Sequence, residues 1–164
     1  MDIAYGDIIG VQGDEWLSDS IRSATGNGPL SHVALCTATE PFVQVTEALN
    51  RVVTRSIDDR LADAKHVWVL KSPLSPDDRQ TACRIALKHT AKDYAYANIL
   101  WQGLDAALRT DWFTEHLTDL TSDVICSELV TICEQQLGLR SESATPNDLW
   151  GFWQVERWPI IQLK

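Results

Sequence analysis

Cys126 is the residue whose type and position most directly suggest chemistry. It follows Thr-Ser-Asp at 121–123, residues typical of a helix N-cap, so a helix is predicted over 124–136. Backbone N–H groups in a first turn lack intrahelical partners and carry partial positive charge. That environment favours a thiolate, and the same N–H groups can hold the oxyanion formed by attack on a carbonyl. Cys126 is therefore a candidate nucleophile, although a lone cysteine is more commonly a buried apolar residue.

A nucleophilic cysteine needs a base; of the four histidines, His66 also opens a predicted strand, although alternation does not fix its face, and the main candidate is His32. It follows turn-forming residues and opens a predicted strand, where the edge of a sheet can aim its ring. A third group must orient the imidazole and stabilise its charged form. Glu47 ends the next predicted strand, and antiparallel pairing brings the two side chains within reach if they share a face. The alternatives are a structural imidazole and a surface carboxylate.

Five short apolar and β-branched runs supply the strands that must position these residues. The predicted strands cover residues 7–11, 31–36, 43–48, 51–54 and 66–70. Asn50 predicts a tight antiparallel connection between the third and the fourth of them.

Helices are predicted from their caps and their apolar spacing. A short helix begins after Asp14 and ends at the Gly-Asn-Gly-Pro sequence of residues 26–29. Ser75 and Pro76 begin a second helix that runs to about Thr90. Residues 98–120 are expected to be mostly helical, ahead of the helix that carries Cys126. Because strands and helices are segregated, we predict an α+β fold with a mainly antiparallel sheet packed against helices.

Length and composition favour one globular domain over residues 1–164. The chain has 164 residues, of which 45% are hydrophobic and 23% are charged, so a disordered chain is excluded. The formal net charge of −9 disfavours binding to nucleic acid or to anionic membranes. No run approaches the roughly 20 apolar residues that a membrane span needs.

The N-terminal residues bear on the localisation of the protein, and the cysteines bear on disulfides and metal binding. The chain opens without a positive segment followed by an apolar one, so a cytoplasmic protein is expected, with delivery by a phage particle or an injection device as an alternative. The four cysteines match no zinc-binding spacing and are interpreted as separate thiols. No metal and no organic cofactor is expected.

Several motifs resemble the circularly permuted branch of the NlpC-type papain-like cysteine peptidases, the YiiX/YaeF-like family. In chain order they are Gly6-Asp7-Ile8-Ile9, Ser31-His32-Val33-Ala34, Val45-Thr46-Glu47-Ala48, Lys92-Asp93-Tyr94 and Cys126-Ser127-Glu128-Leu129-Val130. Residues 145–149, Thr-Pro-Asn-Asp-Leu, are similar to a proline-bearing motif near the end of such chains. Together the motifs span nearly the whole sequence.

The resemblance implies a papain-like core in which the histidine strand precedes the nucleophile helix. Carried over to this sequence, Cys126 is the nucleophile, His32 the base and Glu47 the residue that orients His32. Tyr94 then lines the site and contributes to substrate or oxyanion binding. Trp101 and other aromatic residues between Tyr94 and Cys126 wall the cleft or simply belong to the core.

Three functions remain open at this point. The first is a cysteine hydrolase, an amidase or peptidase that forms an acyl-enzyme, with cell-wall peptides as substrates suggested by the resemblance. The second is a lipid acyltransferase or thioesterase using the same triad. Permuted relatives of that type typically carry Asn-Cys-Glu, whereas residues 125–128 here read Ile-Cys-Ser-Glu. The third is a non-catalytic binding or structural module, for instance with a protein partner in a phage or toxin assembly.

Overall fold

A six-stranded antiparallel sheet forms the centre of the protein. The computed structural model describes residues 2–14, 16–24, 28–49, 51–90, 126, 129–130 and 145–164. The strands lie in the order β4-β3-β2-β1-β5-β6. Their bounds are β1 Ile8–Gly13, β2 His32–Ala38, β3 Gln44–Ala48, β4 Val52–Ser56, β5 Ala64–Leu70 and β6 Ile160–Gln162.

Four helices have described bounds: α1 Trp16–Ala24, α2 Ile57–Asp63, α3 Pro76–Lys88 and α4 Pro146–Val155. Local hydrogen bonds explain where α3 and α4 begin. The Ser75 hydroxyl accepts from the Asp78 backbone N–H. Thr145 and Asp148 form a reciprocal capping box at the start of α4. Both helices also have proline in the first turn, where a missing N–H costs nothing.

Apolar side chains fill both faces of the sheet because successive residues of a strand point to opposite sides. On β1, Ile8 belongs to one buried cluster and Ile9 to the other. The first cluster includes residues of α3 and α4 together with Cys126, and the second includes Ile57 of α2. The sheet is therefore covered by different helices on its two faces.

The α+β prediction and all five predicted strands are confirmed, with boundaries displaced by no more than two residues. The predicted helices after Asp14 and Ser75 are confirmed as α1 and α3. Asn50 and most of the predicted helices over 98–120 and 124–136 lie outside the described residues, but Cys126, Leu129 and Val130 are helical.

The set of predicted elements was incomplete, because it lacked α2, α4 and β6. β6 has three residues and α2 has seven, so neither is long enough to show a clear hydrophobic period. The aromatic residues near the C-terminus pack with the core cluster on one face of the sheet. Trp153 is buried and donates its indole N–H to the carbonyl of Lys71 at 3.0 Å.

Candidate active site

His32 and Glu47 lie side by side on one face of the sheet. β2 and β3 are antiparallel with Leu35 opposite Thr46, which places Glu47 opposite Ala34. His32 is two residues before Ala34, so its side chain shares a face with Glu47. The imidazole Nε2 lies 2.6 Å from Glu47 Oε2. The structure therefore brings these two predicted residues into direct contact.

Two arginines also hold the Glu47 carboxylate. Arg55 on β4 donates from Nε to Glu47 Oε1 at 2.5 Å. Arg60 on α2 donates to Oε2, the oxygen that also faces His32. The Glu47 side chain is 0% exposed, so its charge depends on these partners rather than on water.

The surroundings of Glu47 keep it ionised. Burial acts to raise the pKa of the carboxyl, but the hydrogen bond and charge of His32, together with Arg60, lower it from 4.5 to about 2. Glu47 is thus an anion at every pH at which the fold is expected to work, and it can stabilise a positive charge on His32.

Cys126 also interacts with the His32 imidazole. Its side chain is buried, with 5% exposure, and it hydrogen-bonds with His32. Since Nε2 faces Glu47, Nδ1 is the ring nitrogen left to exchange a proton with the sulfur. Burial acts to lower the pKa of His32, but the Cys126 thiolate and then Glu47 outweigh it and raise the pKa from 6.5 to about 9. These interactions connect the Cys126 sulfur through the His32 imidazole to an ionised carboxylate.

Cys36 and Cys83 have environments of the opposite kind. Like Cys126 they are free thiols, so the prediction of separate thiols is confirmed for the described cysteines. Burial, together with the charges of Cys83 and Asp7, raises the pKa of Cys36 to about 12. Burial likewise raises the pKa of Cys83 to about 11. Neither sulfur forms a thiolate readily, so the three thiols should differ in reactivity.

A contact from α4 fixes the loop that leads into His32. Asn147 Oδ1 accepts from the backbone N–H of Leu30 at 2.9 Å. The next residue, Ser31, donates its hydroxyl to the carbonyl of Val11 at 3.2 Å. The Thr-Pro-Asn-Asp-Leu motif thereby contributes to the placement of the histidine strand, a role that the sequence did not indicate.

Gly28 allows this contact because it has no side chain. A Cβ at Gly28 would lie 2.2 Å from Asn147 Oδ1, whereas one at Gly151 would meet nothing within 4 Å. We expect Gly28→Ala to displace Asn147, leave the Leu30 N–H unsatisfied and cost about 1–3 kcal/mol of unfolding free energy. The matched variant Gly151→Ala, inside α4, should be neutral or stabilising by up to about 1 kcal/mol. Urea unfolding of both variants measures the difference, and equal stability would contradict the Asn147 contact.

Tyr94, predicted to line the site, lies outside the described residues, as do Trp101 and the rest of the aromatic segment. The roles assigned to them stay predictions. Sequence reasoning missed Arg55 and Arg60. The available signal was a basic residue on the strand beside Glu47, since cross-strand neighbours of opposite charge commonly pair.

Comparisons with known proteins support the fold. No protein-family model and no curated protein matches the sequence. Among solved structures, the metalloprotein YiiX from Escherichia coli O157:H7, assigned to DUF1105, is similar with a TM-score of 0.64 and 21% sequence identity. The match covers 85% of this chain and 69% of that chain. The two proteins therefore share a fold.

The described residues also bear on metal ions and membranes. Within the described ranges, no group of three or more His, Cys, Asp or Glu side chains is arranged to hold a metal ion. Of the helices whose residues are described, none has the length and apolar character needed to cross a bilayer.

Proposed function

We propose that this protein is a cysteine hydrolase that cleaves amide bonds through an acyl-enzyme. The observation that carries the proposal is the chain of contacts from Cys126 to His32 and from His32 to Glu47. A nucleophile, a base and an orienting carboxylate in this order are what acyl transfer by a cysteine requires. The raised pKa of His32 and the lowered pKa of Glu47 fit a Cys126 thiolate–His32 imidazolium pair that an ionised Glu47 supports.

In the proposed reaction, the Cys126 thiolate attacks the carbonyl carbon of the substrate and a C–S bond forms. The electron pair of the carbonyl moves to oxygen, and backbone N–H groups near Cys126 hold the resulting oxyanion. The oxyanion collapses and the C–N bond breaks, while the His32 imidazolium gives its proton to the leaving amine. His32 then takes a proton from water, and the water oxygen attacks the thioester carbon. The C–S bond breaks, the acid leaves, and the Cys126 thiolate and the His32 imidazolium are restored. Glu47 stays ionised throughout and holds the ring.

We also infer that the fold is a permuted papain-like one. The similarity to YiiX supports the architecture. The order of residues supports the permutation, because His32 and Glu47 stand on early strands and Cys126 on a later helical segment. In unpermuted relatives of the motif family the nucleophile comes first. Assignment of Cys126 to the first helical turn rests on its predicted N-cap at 121–123.

The reactivity of Cys126 is the first test of this function. With iodoacetamide, we expect Cys126 to alkylate well below pH 8, where an ordinary thiol of pKa about 8.5 is mostly protonated. The rate should change again near pH 9, as the His32 imidazolium with a pKa of about 9 loses its proton. Peptide mass spectrometry reports each cysteine separately, so Cys36 and Cys83 serve as internal controls. Alkylation of Cys126 no faster than of these two would contradict the proposal.

The substrate class is tested by comparing two panels. One contains peptidoglycan stem-peptide fragments with amide bonds, which the motif family suggests, and the other contains lipid esters and thioesters. Turnover of the first panel, followed by mass spectrometry, supports an amidase. Turnover of the lipid panel alone would indicate an acyltransferase or thioesterase, and turnover of neither by a protein with a reactive Cys126 would favour a binding module.

A further inference from the structure

We propose that Arg55 and Arg60 are positioning residues of the active site, which hold the Glu47 carboxylate in the one orientation that supports His32. The inference rests on the proposed function and extends it to two residues outside the Cys-His-Glu set. Both arginines donate to the Glu47 carboxylate, so they reach the imidazole through that carboxylate.

The contacts divide the two carboxylate oxygens between three donors. Arg55 occupies Oε1, while Arg60 shares Oε2 with His32. These donors lie on β4, α2 and β2, so residues of three different elements hydrogen-bond to the carboxylate. A carboxylate held only by the histidine could rotate about its last torsion, because that torsion is broad. With both oxygens engaged, rotation breaks at least one charged hydrogen bond.

The strand register shows why Arg55 reaches this position. Val45 on β3 lies opposite Arg55, and Glu47 lies opposite Val53. Arg55 is therefore the diagonal neighbour of Glu47 on the same face of the sheet. Arg60 then reaches the carboxylate from α2, which follows β4 directly in the chain. The β3–β4 hairpin and α2, which follows it, thus supply both arginines that contact Glu47.

The two arginines also stabilise the negative charge of the buried Glu47 carboxylate. Arg60 is 9% exposed, and Glu47 is its carboxylate partner among the described residues. When His32 is neutral, Glu47 would otherwise be a buried anion without a cation, which is costly. The arginines keep the Glu47 carboxylate ionised and oriented towards His32, whether His32 is protonated or neutral. The carboxylate then needs no rearrangement when the imidazole takes up a proton.

The same protein offers a matched control in a second buried carboxylate. Asp7 is 0% exposed and lies 2.7 Å from Lys71 Nζ and 3.5 Å from Arg79 Nη1. Arg79 also donates to backbone carbonyls, including that of Leu74 at 3.0 Å. Replacing Arg79 removes a partly buried arginine from a carboxylate, as replacing Arg60 does, but away from Glu47. Its effect separates general destabilisation from an effect on His32.

The test is the pH profile of Cys126 alkylation in the full chain. Arg60→Met should let Glu47 turn away from His32, weaken the imidazolium and move the step near pH 9 down by about one pH unit, a tenfold change in the proton affinity of the ring. Glu47→Gln should also move this step to lower pH. Adding Arg60→Met to the Glu47→Gln variant should then cause no further shift in the pH of the step. Arg79→Met should leave the step in place.

The outcomes of this test distinguish failure of the positioning role from failure of the proposed function. A step that stays at its wild-type pH, or moves up because only the positive charge of Arg60 was lost, overturns the positioning role. An equal added shift in the Glu47→Gln background overturns it too. Should Arg60→Met fail to fold, Arg55→Gln decides, because Arg55 is 24% exposed and its loss still frees Oε1. A wild-type profile with a single step near pH 8.5 instead refutes the ion pair, and the proposed function with it.

Discussion

Replacement of Cys126 by alanine is expected to lower turnover of the amide panel by about 10⁴-fold or more. The physical reason is that the acyl-enzyme cannot form without the sulfur, which leaves only substrate binding and any oxyanion contacts. His32→Ala should cost a similar factor, because groups that act as one unit are not additive. The double variant should therefore be little worse than either single variant.

The matched control is Cys83→Ala, which removes another buried thiol. The Cys83 sulfur donates to the carbonyl of Cys36 at 3.3 Å and takes no part in the contacts of His32. We expect this variant to keep its turnover within a few-fold, with some loss of stability from the small cavity. Rates of product formation for the three variants, measured at saturating and at low substrate, check the expectation. Full turnover by Cys126→Ala would show that the hydrolysis does not depend on this cysteine.

The pairing of His32 with Glu47 could be predicted because both signals are local. Each residue lies on a short β-branched run, and adjacent runs with a turn between them pair antiparallel. The alternation of side chains then leaves only two choices of face, and the structure takes the one that joins them. The approach of Cys126 depended instead on the motif resemblance, because no local pattern fixes where a later helix packs.

Arg55, Arg60 and Asn147 could not be assigned in the same way. The position of Arg55 on the strand beside Glu47 is a weak signal, because most arginines on strand and helix surfaces are solvated, and Arg60 has no cross-strand signal of this kind. Arg60 also lies on α2, which was not predicted. For α4 a signal was present, since Thr145, Pro146 and Asp148 make a capping box with a proline in the first turn. That signal shows that a helix begins, but not that Asn147 contacts Leu30.

Glu47→Gln is expected to lower the free energy of unfolding at pH 7 by about 3–5 kcal/mol, the usual cost of breaking a buried ion pair on one side. The amide leaves Arg55 and Arg60 facing a neutral group at the position of a side chain that is 0% exposed. The exposed neighbour Asp59 on α2 provides the control, because Asp59→Asn should stay within about 0.5 kcal/mol of the wild type.

The pH dependence of this loss identifies its cause. The pKa of Glu47 is lower in the folded protein, about 2 against 4.5, so ionisation stabilises the fold above pH 4.5 and this contribution disappears as the pH falls towards 2. At about 1.4 kcal/mol per pKa unit, the contribution is on the order of 3 kcal/mol. The gap between wild type and Glu47→Gln should therefore be largest near pH 5, where His32 also makes its full contribution, and shrink below it. Urea unfolding at a series of pH values measures it, and a gap that persists unchanged to pH 3 would mean that lost packing, rather than lost charge, causes the destabilisation.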